Sequence, residues 1–256
     1  VDALQRAAGS GTPASVGVGT PGAISPATGL IKNANSTWLN GRPFDRDLAA
    51  RMGRAVRVAN DANCFAVSEA RDGAAAGLHT VFGVILGTGV GGGIAIDGHA
   101  LTGANAIAGE WGHNPLPAPL DDERPGPLCY CGRHGCIETW VSGAALSRDH
   151  RASTGKNLDG SSIVARTEAG DKAAAATLER YMDRLARSLA LVINILDPDA
   201  IVLGGGLSAI PALYERVPEL WVRHVFSDRC TTRLLPPKHG AASGVRGAAW
   251  LWPAED

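Results

Sequence analysis

The residues best suited to chemistry lie between Gly109 and Glu138, a stretch that reads G-E-W-G-H, a proline-rich loop, then C-Y-C-G-R-H-G-C-I-E. One imidazole and three thiols fall within it: His113, Cys129, Cys131 and Cys136. Zinc takes four such ligands in a tetrahedron, and three thiolates with one imidazole form a common closed structural set. Gly132 and Gly135 let the chain turn tightly enough for three sulfurs to face one point. The bland alternative is reduced core cysteines beside a satisfied surface histidine. Crowding three of the five cysteines into positions 129–136 argues against it. A disulfide would leave one thiol over and would demand an oxidising compartment that nothing else in the chain supports. With four side-chain ligands no position stays open for a catalytic water, so the metal is expected to be structural. Two carboxylates flank the cluster, Glu110 before the histidine and Glu138 just past the last cysteine.

The elements that must hold these residues come from a chain of 256 residues, 45% hydrophobic and 19% charged, with a formal net charge of -1. That length supports one large or two modest domains with proper cores. A near-neutral charge balance offers no electrostatic footprint for nucleic acid or for an acidic membrane. No apolar run approaches the ~18 residues that span a bilayer, and nothing at the start reads as a signal peptide. Cys64 and Cys230 stand alone, which suits a reducing, cytoplasmic setting. The 33 glycines are in excess for a globular chain. They cluster, as glycines do where backbone approaches a ligand.

In chain order, Val1–Ala8 reads as the last turns of an amphipathic helix, followed by a G-S-G-T-P turn and a strand from Ser15 to Gly19. A domain seldom opens that way, so the chain is expected to lack an N-terminal piece. Asn33–Gly41, N-A-N-S-T-W-L-N-G, reads equally as a surface loop or a binding loop. Phe44–Met52 is a short helix with Asp45 as its expected cap, and Arg54–Ala59 a strand. At the end of that strand N-D-A-N, Asn60 to Asn63, opens a helix through Ala70. Ligands of α/β sheets bind at such strand ends, so Asp61 is either a helix cap or a catalytic carboxylate.

A buried strand from Thr80 to Leu86 leads into G-T-G-V-G-G-G, Gly87–Gly93, and a second strand, Ile94–Ile96. This hairpin presents bare backbone N–H groups, which suit phosphate oxygens, or else it is purely structural. It is neither a Walker loop nor a dinucleotide fingerprint. Thr139–His150 and Ser161–Ala169 read as helices. Asp171–Leu196 reads as the longest, with Leu178, Met182, Leu185, Leu189, Val192, Ile193 and Leu196 along one core stripe. A buried strand then ends in Gly204-Gly205-Gly206, with a helix beginning near Ala209. Thr231–Leu235 is a late strand, and Ser243 is the expected cap of a closing helix.

Taken together, N-D-A-N, the glycine hairpin, G-E-W-G-H, C-Y-C-G-R-H-G-C-I-E and I-L-D-P-D-A-I-V-L-G-G-G resemble the ROK family of sugar kinases and sugar-responsive repressors. The resemblance runs over nearly the whole chain, and E-x-G-H followed by C-x-C-G-x-x-G-C-x-E is its most specific part. It implies an α/β, actin-like ATPase (ribonuclease H-like) fold in two lobes. An incomplete small lobe would occupy residues 1–75, with 243–256 packing back on it, and a large lobe 76–242. Asp61 would be the general base toward the sugar 6-hydroxyl. Asn60, Glu110, His113 and Glu138 would bind sugar, with Asn35 as a further candidate. His113 would do double duty, one ring nitrogen on zinc and the other on the sugar. Gly87, Thr88, Gly89, Val90, Gly91, Gly92, Gly93 and Ile94 would hold ATP phosphates with Mg2+, and Gly204, Gly205 and Gly206 would lie near the adenosine.

Within the family K-N-A-N-S-T-W-L-N-G, A-G-E-W-G-H-N-P-L-P and the closing S-G-V-R-G-A-A-W-L-W-P look most like fructokinases that also take mannose. N-acetylglucosamine kinases and glucokinases are the alternatives, and a repressor is the alternative of another class. The family's D-x-G-G-T phosphate clamp would precede Val1, and a chain beginning at Val1 is expected to have little kinase activity. The partners expected are a sugar and ATP, with no nucleic acid or membrane. Members of the family often form homodimers.

Overall fold

A computed structural model describes residues 2–7, 9 and 14–252. The expected ends of the first helix, Val1 and Ala8, most of the turn after it and residues 253–256 lie outside the described residues. A short helix α1 (Asp2–Ala7) is followed by β1 (Val16–Thr20), a hairpin of β2 (Ala23–Ile24) and β3 (Ile31–Lys32), α2 (Phe44–Met52), β4 (Val56–Asn60) and α3 (Asp61–Arg71). Then come β5 (Thr80–Leu86), β6 (Val90–Ile96), β7 (His99–Ala100), α4 (Glu138–Val141), α5 (Gly143–Thr154), α6 (Gly160–Glu168) and α7 (Lys172–Leu196). The chain closes with β8 (Ala200–Gly204), α8 (Ala212–Trp221), β9 (Arg233–Leu235) and α9 (Ser243–Ala249).

Strands β1 and β4 pair in parallel, Val16 opposite Val56 and Thr20 opposite Asn60. The main sheet has the order β7-β6-β5-β8-β9, with β5, β8 and β9 parallel and β6 and β7 antiparallel to their neighbours. Its central strands read as continuous apolar runs because both faces are covered. Period-two alternation splits them between two cores. Phe82, Val84, Leu86, Ile201 and Leu203 pack with the α7 stripe, while Val81, Ala200 and Val202 pack with Phe65 and Ala66 of α3. Helix α3 therefore runs from the end of β4 across the back of the main sheet and carries the position of Asp61 with it.

Helix α9 returns to α3 and β1. The approach is backbone to backbone: a Cβ on Gly247 would stand 1.6 Å from the carbonyl oxygen of Cys64, and one on Gly17 would stand 1.7 Å from that of Ala248. No described helix is long and apolar enough to cross a membrane.

Several local expectations differ from the structure. Asn60 caps α3, its side chain accepting from the N–H groups of Ala62 and Asn63, so Asp61 is the first helical residue and not the cap. Pro43 stands at the cap position of α2, which places Asp45 inside the first turn. Ser243 is likewise inside α9 and spends its hydroxyl on the buried Glu69 carboxylate at 2.6 Å. The stretch 139–150 is two helices, because Ser142 is extended and caps α5 through the Ala145 N–H. Strand β6 begins at Val90, so the glycine run is a turn only at Gly87–Gly89. After Gly204 a 3-10 turn, Gly206–Ala209, precedes α8.

Candidate active site

Between Gly109 and Glu138 the chain makes no strand of its own. It is folded by short returns: Leu116 N–H donates to Gly135, Ile137 N–H to Asn114 and Cys129 N–H to Arg133, at 2.8–2.9 Å. Gly132 and Gly135 take positive φ of 86° and 69°, which is why glycine is needed at those two turns. The result brings the donor atoms of His113, Cys129, Cys131 and Cys136 within 4.8 Å of one another. The Sγ atoms of Cys131 and Cys136 are 3.7 Å apart, and Nδ1 of His113 is 3.5 Å from Sγ of Cys129. A tetrahedral zinc with Zn–S of about 2.3 Å and Zn–N of about 2.0–2.1 Å needs edges of about 3.8 Å and 3.5 Å. The donor set and its spacing therefore fit zinc.

The proline-rich loop is also clamped from outside. Glu123 is 4% exposed and accepts from Arg184 Nε at 2.8 Å and from both terminal nitrogens of Arg187 at 2.8 and 3.0 Å. Burial alone would raise its pKa, but the two guanidinium groups and the Leu120 N–H outweigh that and hold the carboxyl down at about 2. Arg184 and Arg187 both project from α7, so the metal loop is tied to the core helix.

A cleft of ≈ 190 Å³ lies between this segment, the glycine turn and the start of α3. Asn35, Asn60, Asp61, Glu110, His113 and Glu138 all line it, together with Gly87, Thr88, Gly89, Val90, Gly91 and Gly92. Asn33 and Tyr130 line it as well, neither of them singled out in the sequence. An aromatic held between two metal ligands was the signal for Tyr130: it must travel with the metal. Its hydroxyl meets Nε2 of His113 at 2.8 Å, with the two rings edge to face at 5.0 Å. The ring nitrogen expected to face a sugar is thus engaged by a tyrosine.

Glu138 joins the metal segment to the glycine turn. Its Oε2 accepts from the Val90 N–H at 3.0 Å, and a Cβ on Gly89 would stand 2.6 Å from that oxygen. The Val90 N–H is therefore spent on a carboxylate. Gly93 lies beneath α3, where a Cβ would meet the Ala62 carbonyl at 2.4 Å, and Ile94 packs on the main core. Neither is in the cleft. On the far side of the turn, a cavity of ≈ 570 Å³ is lined by Gly87, Thr88, Gly143, Ser147, Asp159, Ser161 and Gly206. Of Gly204, Gly205 and Gly206 only the last lines it. Gly204 packs on the Phe65 ring, and Gly205, at a φ of 80°, packs on the Leu86 backbone.

Three carboxylates thus share one recess. Burial by the cleft walls raises the pKa of Asp61, against a smaller pull from the Ala62 N–H. Glu110 is also raised, first by burial and further by Asp61 and Glu138, with His113 opposing. Such a recess accepts hydrogen bonds from several hydroxyls at once and holds a base within reach of one of them.

A family model described as the ROK family matches residues 1–255. The N-acetyl-D-glucosamine kinase of Escherichia coli O1:K1 is 41% identical over 245 residues, covering 94% of this chain and 81% of that protein. A ROK hexokinase from Thermus thermophilus superposes with a TM-score of 0.83 at 32% identity, over 97% of this chain and 81% of its own. A ROK family glucokinase from Streptomyces griseus, solved with glucose and AMPPNP, superposes with a TM-score of 0.78 at 28% identity, over 98% of this chain and 86% of its own.

Proposed function

The chain belongs to the ROK family of sugar kinases, and on that premise we propose that it transfers the γ-phosphoryl group of ATP to the 6-hydroxyl of N-acetylglucosamine. The observation that carries the kinase reading is the convergence of Asp61, Glu110 and Glu138 on a cleft that shares Gly87 and Thr88 with a second cavity. One recess suits a polyol, and the other suits a nucleotide. For the acceptor, the identity to an N-acetylglucosamine kinase favours that sugar over the fructose expected from the Asn33–Gly41 stretch.

Asp61 orients the attacking hydroxyl and takes its proton as the new oxygen–phosphorus bond forms and the bond from the γ-phosphorus to the bridging oxygen breaks, releasing ADP. Glu110, Glu138 and the Asn60 amide fix the other hydroxyls, so the acceptor is held in line and away from water. Magnesium bound with ATP would supply charge neutralisation on the transferring group. The hydroxyl of Thr88 is an oxygen donor in the glycine turn that would help to hold it. Zinc on His113, Cys129, Cys131 and Cys136 would keep the imidazole and Glu138 facing the same recess and take no part in the chemistry.

The test is ADP release by the full-length protein with N-acetylglucosamine, glucose, mannose and fructose in parallel. The highest kcat/KM is expected with N-acetylglucosamine. Preference for fructose or mannose overturns the acceptor assignment, and no ADP release with any hexose overturns the kinase reading.

A further inference from the structure

Behind the sugar cleft lies a second, more enclosed cavity of ≈ 100 Å³ that shares Asn60 and Glu110 with it. It sits between the end of β4, the β2 hairpin strand and the loop after β7. Ile24 and Ala108 are among its apolar walls, Asn60, Thr102 and Glu110 are among its polar lining, and two further polar side chains line it, Asn63 and Thr20. Both are buried, Asn63 at 8% exposure and Thr20 at 4%. The Oδ1 of Asn63 has no hydrogen-bond partner among the described residues. The Thr20 hydroxyl reaches only the carbonyl of Pro21, at a long 3.5 Å.

A buried amide without a partner is costly, and native structures rarely keep one that nothing completes. Asn63 is in the first turn of α3, whose free N–H groups Asn60 already caps, so its amide has no capping role. The cavity exceeds the ~30 Å³ share of one water, so it has room for a group of several atoms. That group must carry apolar surface for Ile24 and Ala108, and an amide-like donor and acceptor for Asn63 and Thr20. Because an asparagine amide can present either end after a flip, it complements a second amide in either sense.

We infer that this cavity is the acetamido subsite of the sugar site, with Asn63 pairing to the amide of the 2-acetamido group and Ile24 and Ala108 enclosing its methyl. The inference rests on the acceptor reading above and says how it is enforced. A hexose with a plain hydroxyl at that carbon leaves the Asn63 amide unpaired and the apolar walls unfilled, so discrimination comes from the cavity. The carboxylates that hold the remaining hydroxyls are common to both sugars.

The full-length protein tests this through the ratio of kcat/KM for N-acetylglucosamine to that for glucose. Asn63→Leu removes the amide at similar volume, and the ratio is expected to fall roughly tenfold to a hundredfold, the cost of one buried hydrogen-bond pairing. Ala108→Leu fills the cavity from the opposite wall and is expected to lower the ratio as well, through a higher KM for N-acetylglucosamine. It keeps the test intact should the helix substitution fail to fold. A native protein that prefers N-acetylglucosamine while folded variants keep its ratio overturns the subsite alone, leaving a water-filled cavity. A native protein with no such preference overturns the acceptor reading and the subsite with it.

Discussion

The phenol oxygen of Tyr130 stands 2.8 Å from Nε2 of His113, on the side of the imidazole opposite Nδ1, which faces Cys129. With Nδ1 given to a metal, the neutral ring carries its proton on Nε2 and donates to the tyrosine. The phenol proton is then free to point into the cleft. Tyr130 is an exposed side chain overall, but desolvation of its hydroxyl against the cleft, helped by Glu138 and Glu110, pushes its pKa up to about 12, so the hydroxyl stays protonated near neutrality. On the proposed zinc and sugar sites, Tyr130 would extend the histidine toward the substrate. Tyr130→Phe is expected to raise the sugar KM about fivefold, the worth of one ordinary hydrogen bond, with kcat nearly kept. Steady-state kinetics of the variant check this, and an unchanged KM would remove Tyr130 from the sugar contacts.

Asp61→Asn keeps the shape of the helix start and removes the proposed base. A loss of about 10²- to 10⁴-fold in kcat is expected, with sugar affinity altered only a few-fold. Because burial raises the Asp61 pKa, its carboxylate is protonated at a higher pH than a free aspartate. Catalysis requires the ionised form, so kcat/KM should fall as pH drops through a value above the usual ~3.9. That acidic limb should vanish in the variant, and a pH profile with direct sugar titration tests both statements.

Elemental analysis of the purified protein should find one zinc per chain. Cys136→Ser removes a ligand that is itself 1% exposed. Metal content should drop, the sugar KM rise and the thermal midpoint fall, because Glu138 loses the support that fixes it against Val90. Full zinc content in this variant would refute the ligand set.

Glu123→Gln removes the carboxylate that Arg184 and Arg187 share, leaving Arg184 paired with Asp149 and Arg187 with Asp183, each at 2.9 Å. Leaving a buried charge wholly unpaired costs about 3–5 kcal/mol, and with Asp149 and Asp183 still in place a loss of about 1–3 kcal/mol is expected. Equilibrium denaturation in urea at neutral pH measures it, and a loss under about 1 kcal/mol would mean that the network is not strongly coupled. The sign with pH follows from a folded pKa of about 2 below an unfolded value near ~4.3. The contribution is complete above the unfolded value and fades as pH falls toward the folded one. The native protein should therefore lose stability over that acid range more steeply than the variant.

What could be read directly from the sequence was local. His113, Cys129, Cys131 and Cys136 fall within one short stretch, and the donor spacing they need depends on turns that Gly132 and Gly135 announce. The α7 stripe and the two-sided apolar strands follow from periodicity, which the backbone alone imposes. A cap was legible at N-D-A-N, but choosing Asn60 over Asp61 depended on where β4 hands the chain to α3, and that choice frees Asp61 for the cleft.

The tertiary structure decided what meets across long separations. Asp61 shares a cleft with Glu138 only because α3 packs across β5 and β6 while Glu138 accepts from the Val90 N–H that opens β6. Gly93, Gly204 and Gly205 looked like ligand glycines in the chain, and packing instead uses them for close approach of α3 and the Leu86 backbone. The Glu123 clamp, the Tyr130 contact and the cavity around Asn63 likewise join residues with no spacing in common. Sequence pattern records the period of an element and the ligands of a local turn. It carries no record of which side chains remain unpaired once helices and sheets have docked, and those side chains shape the site.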